Sequence, residues 1–369
     1  SLQRSVQLGK DTWTHGRIRK EPTEECVRVL LQFRRVLQEY GVTKSDQVRA
    51  IATSAVREAS NKAIFLDRIY TATGIEVDAI DEMEVNRLTY LAVMPLVTEV
   101  RALRGKPVFI VEVGAGSTEL LLIEDEAMTC AGTYRLGALR LHEMLESHHT
   151  SLKSTLHVLR SSIQRMLDDM YRTVPRVEDL RLLVIGGDIR FAVSQMDPDW
   201  DRSEPRKIQV KDLDEFSREI LDCNIDELLQ KHHMPVPDAE TLGPALLAIV
   251  MMAETFGAKS LFVATQTLRD GLLIEMSGAK IWESRIEDQV VKSALDLGRK
   301  FHFDEEHALH VATLCSGLFD QLQAIHRLDS RYRVLLYLAG LLHEIGNVVS
   351  TRSHHKHSMY LIMNSELFG

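Results

Sequence analysis

The segment Val111 to Leu120, Val-Glu-Val-Gly-Ala-Gly-Ser-Thr-Glu-Leu, constrains this chain more than any other stretch. An apolar run from Pro107 to Val113 stops at Gly114-Ala115-Gly116, and a second run, Ser117 to Ile123, follows at once. Strand, glycine turn and strand predict a β-hairpin. A turn without side-chain bulk lets backbone N–H groups approach an anion, and Ser117 and Thr118 add hydroxyl donors. Glu112 before the turn and Glu119 after it are placed to hold a divalent cation or to orient a water. An ordinary hairpin with a permissive turn fits the same pattern, so the segment needs support from elsewhere in the chain.

That support starts with the elements around it. Apolar residues recur at helical spacing from Thr23 to Tyr40 (Val27, Leu30, Leu31, Phe33, Val36, Leu37) and Gly41 stops the helix. Val48 to Ala55 reads as a strand, Arg57 to Asn61 as a polar turn, Lys62 to Thr73 as a helix and Ile75 to Ile80 as a strand. Beyond the hairpin come a strand from Met128 to Tyr134, helices over Leu139 to Leu145 and Leu152 to Tyr171, and a buried strand from Leu180 to Ile185 that ends at Gly186-Gly187. Asp197 to Lys211 reads as a solvated loop, Ala245 to Met252 as a core helix, and Ser260 to Thr265 as a last strand. Alternating helix and strand predict a layered α/β architecture. From Trp282 onward the pattern is helical alone, and 8 of the 15 histidines fall between His302 and His357. A chain of 369 residues has room for two or three such domains.

Bulk properties exclude some functions. A formal net charge of −9 argues against a protein that coats itself in nucleic acid, which needs a basic face, so any polyanion must be held by a local site. Cys26, Cys130, Cys223 and Cys315 form no CxxC pair, which disfavours a zinc-thiolate site or a secreted disulfide framework and points to the cytosol. No run approaches the roughly 18 consecutive apolar residues of a membrane span, so no membrane partner is expected.

Two further segments join the hairpin. Ala52-Thr53-Ser54-Ala55-Val56-Arg57-Glu58-Ala59-Ser60-Asn61 leaves a strand and enters a helix, where Arg57 can reach a phosphoryl oxygen, although taken alone it is more readily read as a surface ion pair. Val184-Ile185-Gly186-Gly187-Asp188-Ile189-Arg190 is another strand-to-glycine turn. Together with Arg87-Leu88-Thr89-Tyr90-Leu91, Tyr134 to Leu141 and Leu268-Arg269-Asp270-Gly271-Leu272-Leu273, these segments resemble the exopolyphosphatase and guanosine pentaphosphate phosphohydrolase (Ppx/GppA) family of the actin-like superfamily, in the family's order.

The resemblance implies an α/β fold of two actin-like (ribonuclease H-like) lobes, residues 1–94 and 107–276, followed by an all-α HD-like domain at 283–369. It implies that Gly114, Ala115, Gly116, Ser117 and Thr118, with Gly186 and Gly187, bind phosphate. Glu112 and Glu119 then serve Mg²⁺ (or Mn²⁺) or water, and Arg57 stabilises transition-state charge. The implied substrates are inorganic polyphosphate or guanosine polyphosphates, and the implied assembly is a homodimer.

Three departures qualify the transfer. The family's first phosphate loop should precede Val6-Gln7-Leu8-Gly9 and does not, so about 30 to 40 further N-terminal residues are expected. The family's catalytic glutamate falls on Val85, which cannot take a proton; Glu82 or Asp81, three and four residues back, could share its helix face, so Glu82 is the expected substitute. The hairpin aspartate of the family is Glu112 and its middle glycine is Ala115. In the helical region, His307, the doublet His343-Glu344 and His354-His355-Lys356-His357 supply metal-type side chains, which packing or surface histidines would also explain. The functions left open are a phosphoanhydride hydrolase, a catalytically weak polyphosphate or alarmone sensor, and, more remotely, a kinase of the same superfamily.

Overall fold

The structure, a computed structural model, describes residues 4–43, 47–146, 152–277, 283–329 and 331–365. Its contacts divide the chain into two units, Ser1–Leu272 and Leu273–Gly369.

Unit 1 opens with α1 (Leu8–His15), α2 (Lys20–Glu39), β1 (Ala50–Ala52), α3 (Ser54–Arg57), α4 (Lys62–Thr73), β2 (Val77–Ala79) and α5 (Glu82–Glu99). β1 and β2 pair in parallel, Ala50 opposite Val77 and Ala52 opposite Ala79. Ile18, Val56, Ala59, Phe65 and Ile69 form the core of this part. The strand expected over Val48 to Ala55 is shorter than its sequence suggests. The amides of Val56 and Arg57 both turn back to the Thr53 carbonyl, starting α3 and carrying Val56 into that core.

The second part holds β3 (Val108–Val113), β4 (Thr118–Glu124), β5 (Ala127–Tyr134), α6 (Ala138–Glu146), α7 (Leu152–Thr173), β6 (Arg181–Ile185), α8 (Gly187–Met196), β7 (Arg206–Gln209), α9 (Val210–Asp222), α10 (Ile225–His232), α11 (Val236–Thr255), β8 (Ser260–Val263) and α12 (Leu268–Met276), in which the division between the units falls. The six strands are ordered β5-β4-β3-β6-β8-β7, with β3, β6 and β8 parallel and the rest antiparallel. β7 corrects the loop expected over Asp197 to Lys211. Arg206–Gln209 pairs along β8 as an edge strand with only Ile208 turned inward, and such a polar, one-contact pattern hides a strand from hydropathy reading.

The pleat decides where the chemistry sits. Phe109, Val111 and Val113 of β3 and Leu120 and Leu122 of β4 pack with α7 and α11 in the main core. Alternation along each strand therefore turns Glu112 and Glu119 to the opposite face. α11 is long and apolar enough to cross a membrane by length and composition, but most of it is buried inside unit 1.

Unit 2 is helical throughout its described residues: α13 (Glu283–Lys300), α14 (Glu305–Gln321), α15 (Gln323–His326), α16 (Arg331–Leu342), a 3₁₀ turn at Ile345–Val348 and α17 (His354–Met363). Ala294, Leu297, Ala308, Ala312, Leu341, Leu342 and Ile345 form its core.

Candidate active site

The hairpin turn is held from one side. The Gly114 carbonyl accepts from the Ala138 amide at 2.9 Å, the Ala115 carbonyl from the Leu139 amide at 3.0 Å, and the Gly116 carbonyl from Arg140 Nε at 2.6 Å. Each trans peptide unit points its N–H opposite to its C=O. Three carbonyls aimed at the start of α6 therefore aim the amides of Ala115, Gly116 and Ser117 the other way, and among the described residues no backbone carbonyl receives them. Three adjacent amides on one side make a concave anion site. Gly137 permits the arrangement, because a Cβ there would lie 2.3 Å from the Ala115 carbonyl oxygen.

Arg140 and Trp13 brace the turn. Arg140 also reaches Glu58 Oε2 at 2.5 Å and lies 4.7 Å from the centre of the Trp13 ring. Trp13 covers Gly116 so closely that any Cβ on Gly116 would sit 2.0 Å from the ring. The sequence reading missed Trp13, because only the fold brings α1 against α6.

Glu112 and Glu119 are directly opposed partners in the β3–β4 ladder. Burial pushes the Glu119 carboxyl up to about 7, the Glu112 charge adds to the rise, and the Ser117 hydroxyl, donating to Glu119 Oε1 at 2.6 Å, opposes it. Burial also raises Glu112, against the pull of Arg190. Burial lowers the Arg190 guanidinium, while the charges of Glu112, Asp270 and Asp188 oppose that. Asp188 is raised to about 6 by burial and accepts from the Thr241 hydroxyl at 3.1 Å. Asp188 and Arg190 were visible as residues after the Gly186-Gly187 turn, but nothing in their spacing linked them to Glu112.

Glu112, Glu119 and the turn edge a cleft of about 470 Å³ whose walls also include Lys10, Trp13, Val85, Asp238, Glu240 and Thr241. Four carboxylates and one lysine make these walls hostile to a bare polyanion. The oxygen-only donors Glu112 and Glu119, facing one another and crowded by like charge, suit a hard divalent ion such as Mg²⁺ or Mn²⁺.

Other expected site residues fall differently. Thr118 is fully buried and donates its hydroxyl to the Leu136 carbonyl, so it closes the hairpin instead of offering a donor to phosphate. Gly186 and Gly187 end β6 and begin α8 at the same edge of the sheet as Val113, outside the cleft walls identified above. Arg57 donates to the Ile80 carbonyl at 3.0 Å and lies 3.4 Å from Glu82 Oε1, while its charge is felt at Glu119. Glu82 is about half exposed and is held by that ion pair. Asp81 is the N-cap of α5 and accepts from the Glu84 amide, and Glu84 forms a two-pronged pair with Arg87. Of this stretch Val85 alone lines the cleft, and Glu82 and Asp81 do not.

Comparison with known proteins accounts for the whole chain. The Ppx/GppA phosphatase family matches residues 1–280, and Ppx/GppA phosphatase, domain III, matches residues 291–369. A guanosine-5'-triphosphate,3'-diphosphate pyrophosphatase of Aeromonas hydrophila subsp. hydrophila is 23% identical over 376 residues, covering 100% of this chain and 71% of the relative. An exopolyphosphatase from Cytophaga hutchinsonii superposes with a TM-score of 0.65 at 20% identity, covering 74% of this chain and 88% of that one. The Aquifex aeolicus Ppx/GppA family member gives 0.60 at 20% identity over 75% and 88%. At that identity the structural likeness establishes the fold alone.

Proposed function

Since the chain belongs to the Ppx/GppA phosphatase family, we propose that it is a phosphoanhydride hydrolase that draws a terminal phosphoryl group onto the Ala115–Ser117 amides and releases it to water. The single observation that carries this reading is the alignment of three unclaimed amides beside two opposed carboxylates in one cleft. Amides hold equatorial phosphoryl oxygens without bringing in a mobile charge, and their dipoles are already oriented when negative charge develops. Arg57, tethered to the Ile80 carbonyl, adds a positive charge at the rim.

Glu112 and Glu119 are the residues to hold Mg²⁺ (or Mn²⁺). A divalent ion there supplies the positive charge that lets a polyphosphate tail approach four wall carboxylates. With a divalent ion held there both carboxyls would stay ionised, and Val85 offers no base to the attacking water. Inorganic polyphosphate is the preferred substrate over guanosine pentaphosphate, because charge and amides suffice to bind it and no base-specific pocket is needed. The helical C-terminal unit is read as HD-like from its His343-Glu344 doublet. The protein is read as a cytoplasmic homodimer that engages neither nucleic acid nor membranes.

Val85 favours a second reading, a polyphosphate or guanosine-polyphosphate sensor with little turnover. Phosphate release and equilibrium binding, measured on both substrates with Mg²⁺, separate the two. Turnover that rises with Mg²⁺ and is higher on polyphosphate supports the enzyme. Binding without release supports the sensor, and neither binding nor release defeats both.

A further inference from the structure

Unit 1 holds a second cavity, of about 790 Å³, walled by the end of β5 and by α6 and α7. Its charge is the reverse of the cleft's. Four arginines, Arg135, Arg140, Arg165 and Arg172, stand in its walls against two acids, Asp168 and Asp169. In a chain of net charge −9, a concave surface with an excess of cations attracts anions that the rest of the molecule repels. We propose that this cavity is a second anion site, for a nucleoside polyphosphate, whose occupant acts on the glycine turn through Arg140.

Helix geometry builds the site. Arg165 and Arg172 are two turns apart on one face of α7, at a rise that separates them by about 10 Å. Asp169 follows Arg165, and Asp168 precedes Arg172, at the spacing of helical ion pairs, yet among the described residues neither pair forms. Arg165 instead donates to the Ser161 carbonyl and the Ser162 hydroxyl, both at 3.3 Å, and no described carboxylate takes Arg135 or Arg172. A guanidinium without a carboxylate partner keeps its planar fork for phosphate, which it binds with two parallel N–H donors. Leu141, Met144 and Met166 add apolar lining, and thioethers pack well against aromatic rings. Phosphates on the arginines with a base against the methionines suit a cavity of this size, and Asp168 and Asp169 are acceptors for ribose hydroxyls.

Arg140 belongs to this cavity and to the turn at once. It lines the cavity while its Nε holds the Gly116 carbonyl at 2.6 Å and its Nη2 holds Glu58 at 2.5 Å, and its side chain is 21% exposed. Phosphate entering the cavity competes with both partners for this guanidinium. A turn that loses its brace aims its amides less firmly, so an occupied cavity opposes phosphate capture in the cleft, and by linkage capture opposes occupancy. The coupling rests on the reading that the turn binds phosphate. The site does not.

The test titrates the full chain with ATP by calorimetry in the presence of a chelator, because without a divalent ion the cleft carboxylates repel a bare polyanion. Saturable uptake is expected, weakened at least about tenfold in the double variant Arg165→Ala/Arg172→Ala and within about twofold of wild type in Ala115→Pro. Both arginines are exposed, so circular dichroism should be unchanged. Tripolyphosphate, which carries the charge without the ring, should bind more weakly than ATP. With Mg²⁺ added, saturating ATP should weaken polyphosphate binding about fivefold in wild type and leave it unaltered in the double variant. No uptake of ATP, equal uptake by wild type and the double variant, or its loss in Ala115→Pro would overturn the site. Tripolyphosphate as tight as ATP would overturn the nucleoside assignment, and polyphosphate binding indifferent to ATP would overturn the coupling. Absence of all polyphosphate binding defeats the functional reading instead, and the metal-free titration still decides the site.

Discussion

The two walls of the cleft are unequally equipped. The hairpin wall presents three free amides, two carboxylates and a serine, braced from behind by α6, Arg140 and Trp13. The α5 wall presents Val85, with its nearby acids engaged elsewhere: Glu82 with Arg57, Glu84 with Arg87 and Asp81 with the helix N-terminus. On the proposed reading, holding a phosphate tail and activating water are separable tasks, and the residues present equip the first better.

The largest expected effect comes from adding an acid to the α5 wall. Val85→Glu places a carboxylate on the apolar wall, and general-base help is typically worth about 10² to 10⁴ in rate, so phosphate release should rise by about 10² with binding little changed. An unchanged rate in a colorimetric phosphate assay would mean that α5 is not where water is activated. Next comes Arg57→Ala, which should lower phosphate release by about 10² if its charge serves the transition state. The companion Glu82→Gln should stay within about twofold, and a large loss there would make Glu82 the substitute base after all.

A pH experiment probes the carboxylate pair. The Glu119 carboxyl is raised from 4.5 to about 7, so the folded chain holds this proton more tightly than the unfolded chain does. Its contribution to stability is therefore greatest in acid and lost as pH rises from about 4.5 to about 7, amounting to on the order of 3 kcal/mol. Without divalent ions, Glu119→Gln should flatten that decline, raising Tm at pH 8 more than at pH 5. Equal shifts at both pH values would show that the pair is not strained. The smallest effect belongs to Thr118→Val. Loss of its bond to the Leu136 carbonyl should cost about 1 kcal/mol in denaturant melts while phosphate release holds steady, whereas a fall in release would return the hydroxyl to the phosphate site.

The same division shows how much the sequence could tell. The hairpin and its turn were legible because strand periodicity and glycine spacing are local signals, and the ladder pairs Glu112 with Glu119. The membership of the family was legible from the order of several motifs. Trp13 over Gly116, the charge of Glu112 on Arg190, and Thr241 on Asp188 were not, since each joins residues far apart in the chain and no periodicity records them. Glu82 is placed differently for another reason. Helix geometry puts it on the face of Val85, but it opens α5, where its carboxylate pairs with Arg57 and does not line the cleft.

The claim beneath both functional readings is that the amides of the glycine turn capture phosphate. Calorimetric titration of polyphosphate with Mg²⁺ into wild type and Ala115→Pro tests it directly, because proline removes one of the three N–H donors. Saturable uptake by wild type that weakens at least about tenfold in the variant, with circular dichroism unaltered, should be seen. Uptake of equal strength in both proteins, or none in wild type, would contradict it.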